Sequence, residues 1–397
     1  MSWERYRLGD LYEVHNGLSK GSKFFGSGYG FLSFSTVFNN YFIPDELPDL
    51  VQSTEKEQES YSIKRGDIFL TRTSETADEL GMSCVALKDY PHATYNGFTK
   101  RLRPITDKVV PEYIGYYMRM PSFRNEFMAF STMTTRASLR NEDLLGLKVN
   151  LPNLDKQSSI ANILREYDYL IENNQKQIKL LEEAAQRLYK EWFVDMHFPG
   201  YKNVKIINGI PVGWYNTSVD ELGTYLNGFA FKPSDWHSRG KPIIKIKEMK
   251  NGISKDTPRN SGERIPSKYI IDTGELLFSW SATLMVMIWN DEQGLLNQHL
   301  FKVTPNVGIG KMFLLYSLKN ALAEFSNLTT GATMKHIQRN KLNQVFVNVP
   351  NEKIMNNFEQ IADKYQNQIL IHSKINKELS EARDRLLPKL MSGEIEI

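Results

Sequence analysis

The stretch SKGSKFFGSGYGF, Ser19 to Phe31, sets four glycines among two lysines and a run of aromatics. Read alone, FFGSG has the spacing of a loop that cradles a nucleotide-like cofactor such as S-adenosylmethionine. A loop of that kind must leave a strand and open a helix, so that backbone N–H groups face the ligand. Here it runs into FLSFSTVF, whose aromatic and β-branched residues predict a strand. Its counterpart later in the chain, FKPSDWHSRG, has one glycine and no such spacing. The glycines are therefore expected to serve a loop and a close backbone approach to a ligand rather than a cofactor site.

Other chemistry is equally sparse. Gly240-Lys241 precedes Pro242 and Gly310-Lys311 precedes Met312, so no Gly-Lys-Ser/Thr phosphate loop exists, and there is no Pro-Pro-aromatic signature. The seven histidines are scattered, with no pair at metal-ligand spacing. Cys84 is the single cysteine, which excludes an internal disulfide and suits a reducing, cytoplasmic setting. No motif supports catalysis by this chain alone. The most apolar segment, LLFSWSATLMVMIW (Leu276 to Trp289), is too short to span a bilayer and predicts a buried strand pair turning near Ser279 to Thr283.

What remains is polar, basic and aromatic material at expected strand ends. In the first half these are Lys20 and Lys23, then Arg72 and Thr73 in TRTSETADEL, then Arg136 and Arg140 in TTRASLR. In the second half they are Lys232, Lys245 and Lys247, then Ser279 and Ser281 in SWSAT, His299 in NQHLFK, and Thr330, Lys335 and His336 in TTGATMKHIQR. Lys and Arg suit phosphates, whereas Arg, Asn, Gln, Ser and Thr suit base edges. Trp280 is expected to be core. The net charge of +3 hides a partition: residues 196–350 hold 18 Lys and Arg against 11 Asp and Glu. That local excess points to a polyanionic partner.

The elements that must position these residues are written twice. RNEDLLGLKVNLPN (Arg140 to Asn153) matches QRNKLNQVFVNVPN (Gln338 to Asn351), and WERYRLGDLYEVHNG from Trp3 matches WYNTSVDELGTYLNG from Trp214. Both of the latter end on Asn-Gly, and RGDIFL pairs with TGELLF between them. Four matches in one order indicate a duplication. Each globular half predicts short strands plus helices in PEYIGYYMRMPSFRNEFMAF and GKMFLLYSLKNALAEFSN, an α+β fold used twice.

Each half is followed by a long apolar repeat, and the first, from Asp155 to about Asp195, has no glycine and no proline. Ile160, Ile163, Tyr167, Leu170, Ile178, Leu181, Ala185, Leu188 and Trp192 recur at three- and four-residue steps around a polar Asn174. Phe358, Ile361, Tyr365, Ile369, Ile375, Leu379, Leu386 and Leu390 repeat the pattern, with His372 aligned to Asn174. Two helices of about 40 residues, each ~60 Å long, are expected to pair antiparallel along this coiled-coil seam. The expected layout is a globular domain over 1–154, helix 155–195, connector 196–211, a second domain over 212–350, helix 351–391 and tail 392–397.

This layout resembles the specificity (S) subunit of type I restriction–modification enzymes, the HsdS family. GIPVGW opens the second domain, NQHLFKV and TTGATMKHI are similar to recurring target-recognition segments, QRLYKEWFVDMHFPG ends the first long helix and LLPKLMSGEIEI closes the chain, as in many members. The resemblance covers essentially the whole chain. It implies two target recognition domains, each reading half of a bipartite, asymmetric sequence in double-stranded DNA with pseudo-twofold symmetry. It implies that the helices set the spacing and dock two modification subunits, with restriction subunits beside them. The chain itself would bind no cofactor and catalyse nothing. S-adenosylmethionine would sit in the modification subunit, and ATP and Mg in the restriction subunit. The slight acidity of the first domain, including EKEQE (Glu55 to Glu59), departs from this pattern and leaves phosphate contacts largely to the modification subunits. The alternatives are a stand-alone DNA methyltransferase or nuclease, and a structural coiled-coil adaptor.

Overall fold

The structure is a computed structural model of the chain and describes residues 3–74, 80–129, 132–133, 137–138, 140–327 and 339–397. Two compact units divide it. Unit 1 holds residues 1–171 and 379–397, and unit 2 holds 172–378. Each unit thus takes one part of each long helix.

In unit 1, Glu4–Arg7 pairs antiparallel with Lys148–Leu151. The chain then enters an antiparallel sheet ordered Tyr12–Asn16, Thr99–Pro104, Ile68–Thr71, Ser83–Val85. Ile68–Thr71 is buried at every residue, which explains its unbroken apolar run. A second sheet sets Phe25–Leu32 between Asp49–Val51, antiparallel, and Thr94–Tyr95, parallel. The expected strand FLSFSTVF is corrected here. The glycine stretch itself is the strand, and Phe34–Asn39 is a short helix whose start is capped by Ser33 Oγ, which accepts from Thr36 N at 3.3 Å. The strand slips register between Phe25 and Tyr29. A Cβ on Gly28 would lie 2.5 Å from the Val51 carbonyl oxygen, so the close backbone approach is to the neighbouring strand, not to a ligand.

Unit 2 repeats the core of this plan and adds a fourth strand, Ile270–Ile271, to its second sheet. Tyr215–Ser218 pairs with Phe346–Val349. The main sheet is ordered Gly223–Asn227, Leu300–Pro305, Leu276–Ser279, Met285–Ile288, so the expected strand pair around Ser279 to Thr283 is present. The second sheet again has an antiparallel neighbour (Arg259–Asn260) and a parallel one (Gly294–Leu296) beside Lys241–Ile244. Its strand likewise leads into a short helix, Ile246–Asn251. Helices Pro111–Tyr117 and Pro121–Ala129 in unit 1, and Lys311–Asn327 in unit 2, lie where the sequence predicts them.

The long helices run over Leu154–Tyr189, ending in a π-turn at Lys190–Val194, and over Glu352–Ser392. In unit 1, Ile160 and Leu164 share a core with Leu387, Leu390 and Met391, while Ile163 and Leu386 pack on its edge. Asp168, one turn beyond Leu164, meets Arg383 at 2.5 Å and accepts from the Tyr116 hydroxyl. Tyr167 and Leu379 are half-buried. In unit 2, Tyr189, Phe193, Phe313 and Phe358 form an aromatic core, with Phe193 5.0 Å from Phe313 and 4.9 Å from Phe358. Leu188, Ile361 and Tyr365 pack against it, and Leu181 is half-buried. Asn174 Nδ2 donates to Asn376 Oδ1 at 2.8 Å, and its Oδ1 lies 3.1 Å from His372 Nδ1. Contacts descend one helix as they ascend the other, so the pair is antiparallel.

A continuous apolar seam is not what forms. Leu170 is 51% exposed and Ile375 39%. The apolar positions are drawn into the core of each unit, and the stretch around Asn174 is held by polar contacts. Side chains on the long helices also hold loops of each unit. Gln157 accepts from Val110 N at 2.9 Å, and Glu359 accepts from Met312 N and Phe313 N at 3.1 and 2.7 Å, capping the helix they open.

Candidate nucleic-acid interface

The best-defined cluster of the predicted polar residues lies at one end of the main sheet of each unit. In unit 1 the strand Tyr12–Asn16 ends in Asn16-Gly17, and a Cβ on Gly17 would sit 2.0 Å from the Asn96 carbonyl oxygen. Only glycine permits that contact, which lets Leu18 N reach Tyr95 O at 2.8 Å and Gly97 N reach Leu18 O at 2.8 Å. The Asn16 carboxamide is thereby fixed at the sheet end, where its Oδ1 accepts from Arg72 Nη1 at 3.3 Å. Arg72 follows the central strand, and its backbone N donates to Phe98 O at 2.9 Å. Phe98 itself is 59% exposed. Opposite Asn16 in the ladder stands Lys100, buried, with its ammonium donating to Asn141 Oδ1. Desolvation, and then the charge of Arg72, hold the Lys100 amine below its ordinary pKa.

Unit 2 builds the same end with different contents. A Cβ on Gly228 would lie 2.1 Å from the Asn297 carbonyl oxygen, and Phe229 N donates to Leu296 O at 2.8 Å. Asn227 Oδ1 accepts from Trp280 Nε1 at 3.3 Å. Trp280 occupies the place of Arg72, Phe301 stands opposite Asn227 where Lys100 stands opposite Asn16, and His299 takes the place of Phe98. The Trp280 ring centroid lies 5.9 Å from both His299 and Phe301. Trp280 is thus half-buried at the rim rather than in the core.

The other expected contacts divide. Lys23, Lys232, Lys247 and His299 are exposed; Lys232 lines an open cleft with His237, Asn260 and Arg264. Arg140 is exposed beside Asp143 at 3.3 Å. Lys245 lies 3.9 Å over the Trp236 ring, and partial burial lowers its pKa. Lys20 is corrected to a structural role: its ammonium bonds Gln52 O at 2.6 Å and Glu57 at 2.7 Å, and only 13% of the side chain is exposed. Ser279 and Ser281 are corrected likewise. Both are buried, and Ser279 Oγ donates to Thr283 O at 2.7 Å, closing the turn after the central strand. Thr73 lies in a small ribbon, pairing with Ser138. Arg136, Thr330, Lys335 and His336 lie outside the described residues. Asn16, Asn227, Phe98 and Lys100 stand at these sheet ends without having been expected there; the repeated Asn-Gly was the available signal for the two asparagines. Among the described residues no group of His, Cys, Asp and Glu could hold a metal ion, and no helix is long and apolar enough to cross a membrane.

A family model described as type I restriction modification DNA specificity domain matches residues 1–183 and again 211–381. The chain belongs to that family and carries its domain twice. Among curated relatives, the type I restriction enzyme MjaIX specificity subunit of Methanocaldococcus jannaschii is 24% identical over 420 residues, covering 100% of this chain and 94% of the relative. The HindI specificity subunit of Haemophilus influenzae is 22% identical over 467 residues, covering 99% of each. A crystal structure of the type I restriction–modification S subunit from M. genitalium shares the fold, with a TM-score of 0.53 and 13% identity over 98% of this chain and 96% of that chain. The chain is a specificity subunit of a type I restriction–modification system.

Proposed function

We propose that each unit reads one half of a bipartite, asymmetric DNA target, and that the chain does no bond-breaking chemistry itself. The observation that carries this reading is the sheet end built twice on the same Asn-Gly tether and filled differently, Arg72 and Lys100 in one unit, Trp280 and Phe301 in the other. A shared scaffold would present each reader in the same way; unlike fillings would demand unlike half-sites. The long helices serve as spacer and as docking surface for two modification subunits, which hold S-adenosylmethionine, and restriction subunits supply ATP- and Mg-dependent cleavage. The slightly acidic first unit leaves much of the phosphate contact to those partners.

The test is to map methylated bases in DNA from cells carrying this chain with its cognate modification subunit. A two-part motif with unlike halves and a fixed gap is expected. A single continuous palindrome, or methylation by the chain alone, would overturn the reading.

A further inference from the structure

Resting on that reading, we infer that Arg72 is the residue of unit 1 that specifies a guanine, and that Asn16 is the positioning residue that aims it. The guanidinium carries five N–H donors in a planar fork. Among the described residues, its guanidinium bonds through one nitrogen, Nη1, to Asn16 Oδ1 at 3.3 Å. The remaining fork matches the paired O6 and N7 acceptors of guanine in the major groove. Lys100 strengthens the choice. Its buried ammonium rests on a neutral partner, Asn141, and raises the local potential beside Arg72. Two cations so placed, with no carboxylate ion-paired to either among the described residues, favour an edge made of acceptors.

The same fork could grip a phosphate, and the second unit argues against that use. A phosphate contact carries no sequence information, so two domains with one fold have reason to keep it in kind. Here the tether is kept, Asn16 and Asn227, while the side chain held by it changes from guanidinium to indole. A position that varies over a constant anchor is where the two half-sites differ. The single N–H of Trp280 is directed at Asn227, so its exposed surface offers ring contact rather than a donor pair.

The experiment reconstitutes the full chain with its modification subunits and measures methylation rates on a duplex library in which every motif position is varied. Arg72→Ala and Arg72→Gln are expected to lower discrimination for guanine at one position of one half-site by roughly tenfold to a hundredfold, leaving all other positions unchanged. Asn16→Ala should relax the same position more weakly, since it loosens the aim and not the donors. Thermal melting checks that each variant is folded. The inference is overturned if the Arg72 variants weaken methylation uniformly across sequences with a shallower salt dependence, the mark of a phosphate contact, or if discrimination stays intact. Failure of the half-site reading would look different: the unaltered complex would show no two-part motif at all.

Discussion

The main sheets of the two units end in the same hydrogen-bonded frame. In both, an Asn-Gly presses against the backbone of a second Asn, Asn96 or Asn297, and the first Asn tethers the residue that follows the central strand. What that frame holds differs: a guanidinium and a buried ammonium in unit 1, an indole and a phenyl ring in unit 2. The lesson is that backbone geometry and reading chemistry are separable here, because the fixed contacts run through main-chain atoms and one carboxamide. The long helices differ in the same way. Unit 1 is closed across them by Asp168, Arg383 and Tyr116, unit 2 by Tyr189, Phe193 and Phe358.

The largest effect should come from breaking the charged closure. Asp168→Ala takes from the largely buried Arg383 its buried carboxylate and leaves it only the exposed Asp384 at 2.9 Å, and truncating one partner of such a pair costs about 3 kcal/mol. Differential scanning calorimetry should show the transition of unit 1 falling while that of unit 2 holds. Equal loss in both transitions would contradict the assignment of Asp168 to unit 1 alone. Next, Gly17→Ala and Gly228→Ala push a methyl into a backbone carbonyl in each unit. Each should cost about 1–3 kcal/mol, the range for overpacking. Similar losses by denaturant titration would confirm that the frame is shared; indifference at either site would break the equivalence.

Smaller effects sharpen what is private to each unit. The folded-state pKa of Lys100 is depressed, so between that value and the ordinary lysine range the unfolded chain binds more protons and stability rises with pH. Lys100→Met should be more stable than the parent near neutral pH by about 1 kcal/mol, an order of magnitude for removing a desolvated charge, and the difference should shrink as pH climbs toward 10. A constant difference across pH would disprove the charge argument. Least of all, Asn174→Ala should cost about 0.5 kcal/mol in a urea titration, since it removes hydrogen bonds to Asn376 and His372 in a half-buried setting.

Much of this fold was legible in the sequence because apolar periodicity reports which residues are buried. The strands after Gly66 and Gly274, the paired edges at Lys148 and Phe346, and both long helices lie where the repeats predict. The glycine stretch was misread since glycine has no side chain to reveal an alternating pattern, and here it supplies a bulged strand. Ser279 and Ser281 carry the right groups for base contact, but the folded turn directs the Ser279 hydroxyl onto its own carbonyls. Asn16 and Asn227 were visible as a repeated motif; their tethering role needed the three-dimensional neighbours, Arg72 and Trp280, which lie 56 and 53 residues away. The seam spacing of three and four residues identified the helices and marked Asn174 and His372 as polar seam positions, yet could not reveal that Asp168 carries part of the pairing.

The most direct measurement exchanges residues 212–350 for the corresponding segment of a relative with a different target and maps the methylated motif with the same modification subunits. One half of the motif should change to that of the donor while the other half and its bases stay as they were. A motif altered in both halves, or in neither, would contradict the account of two independent readers.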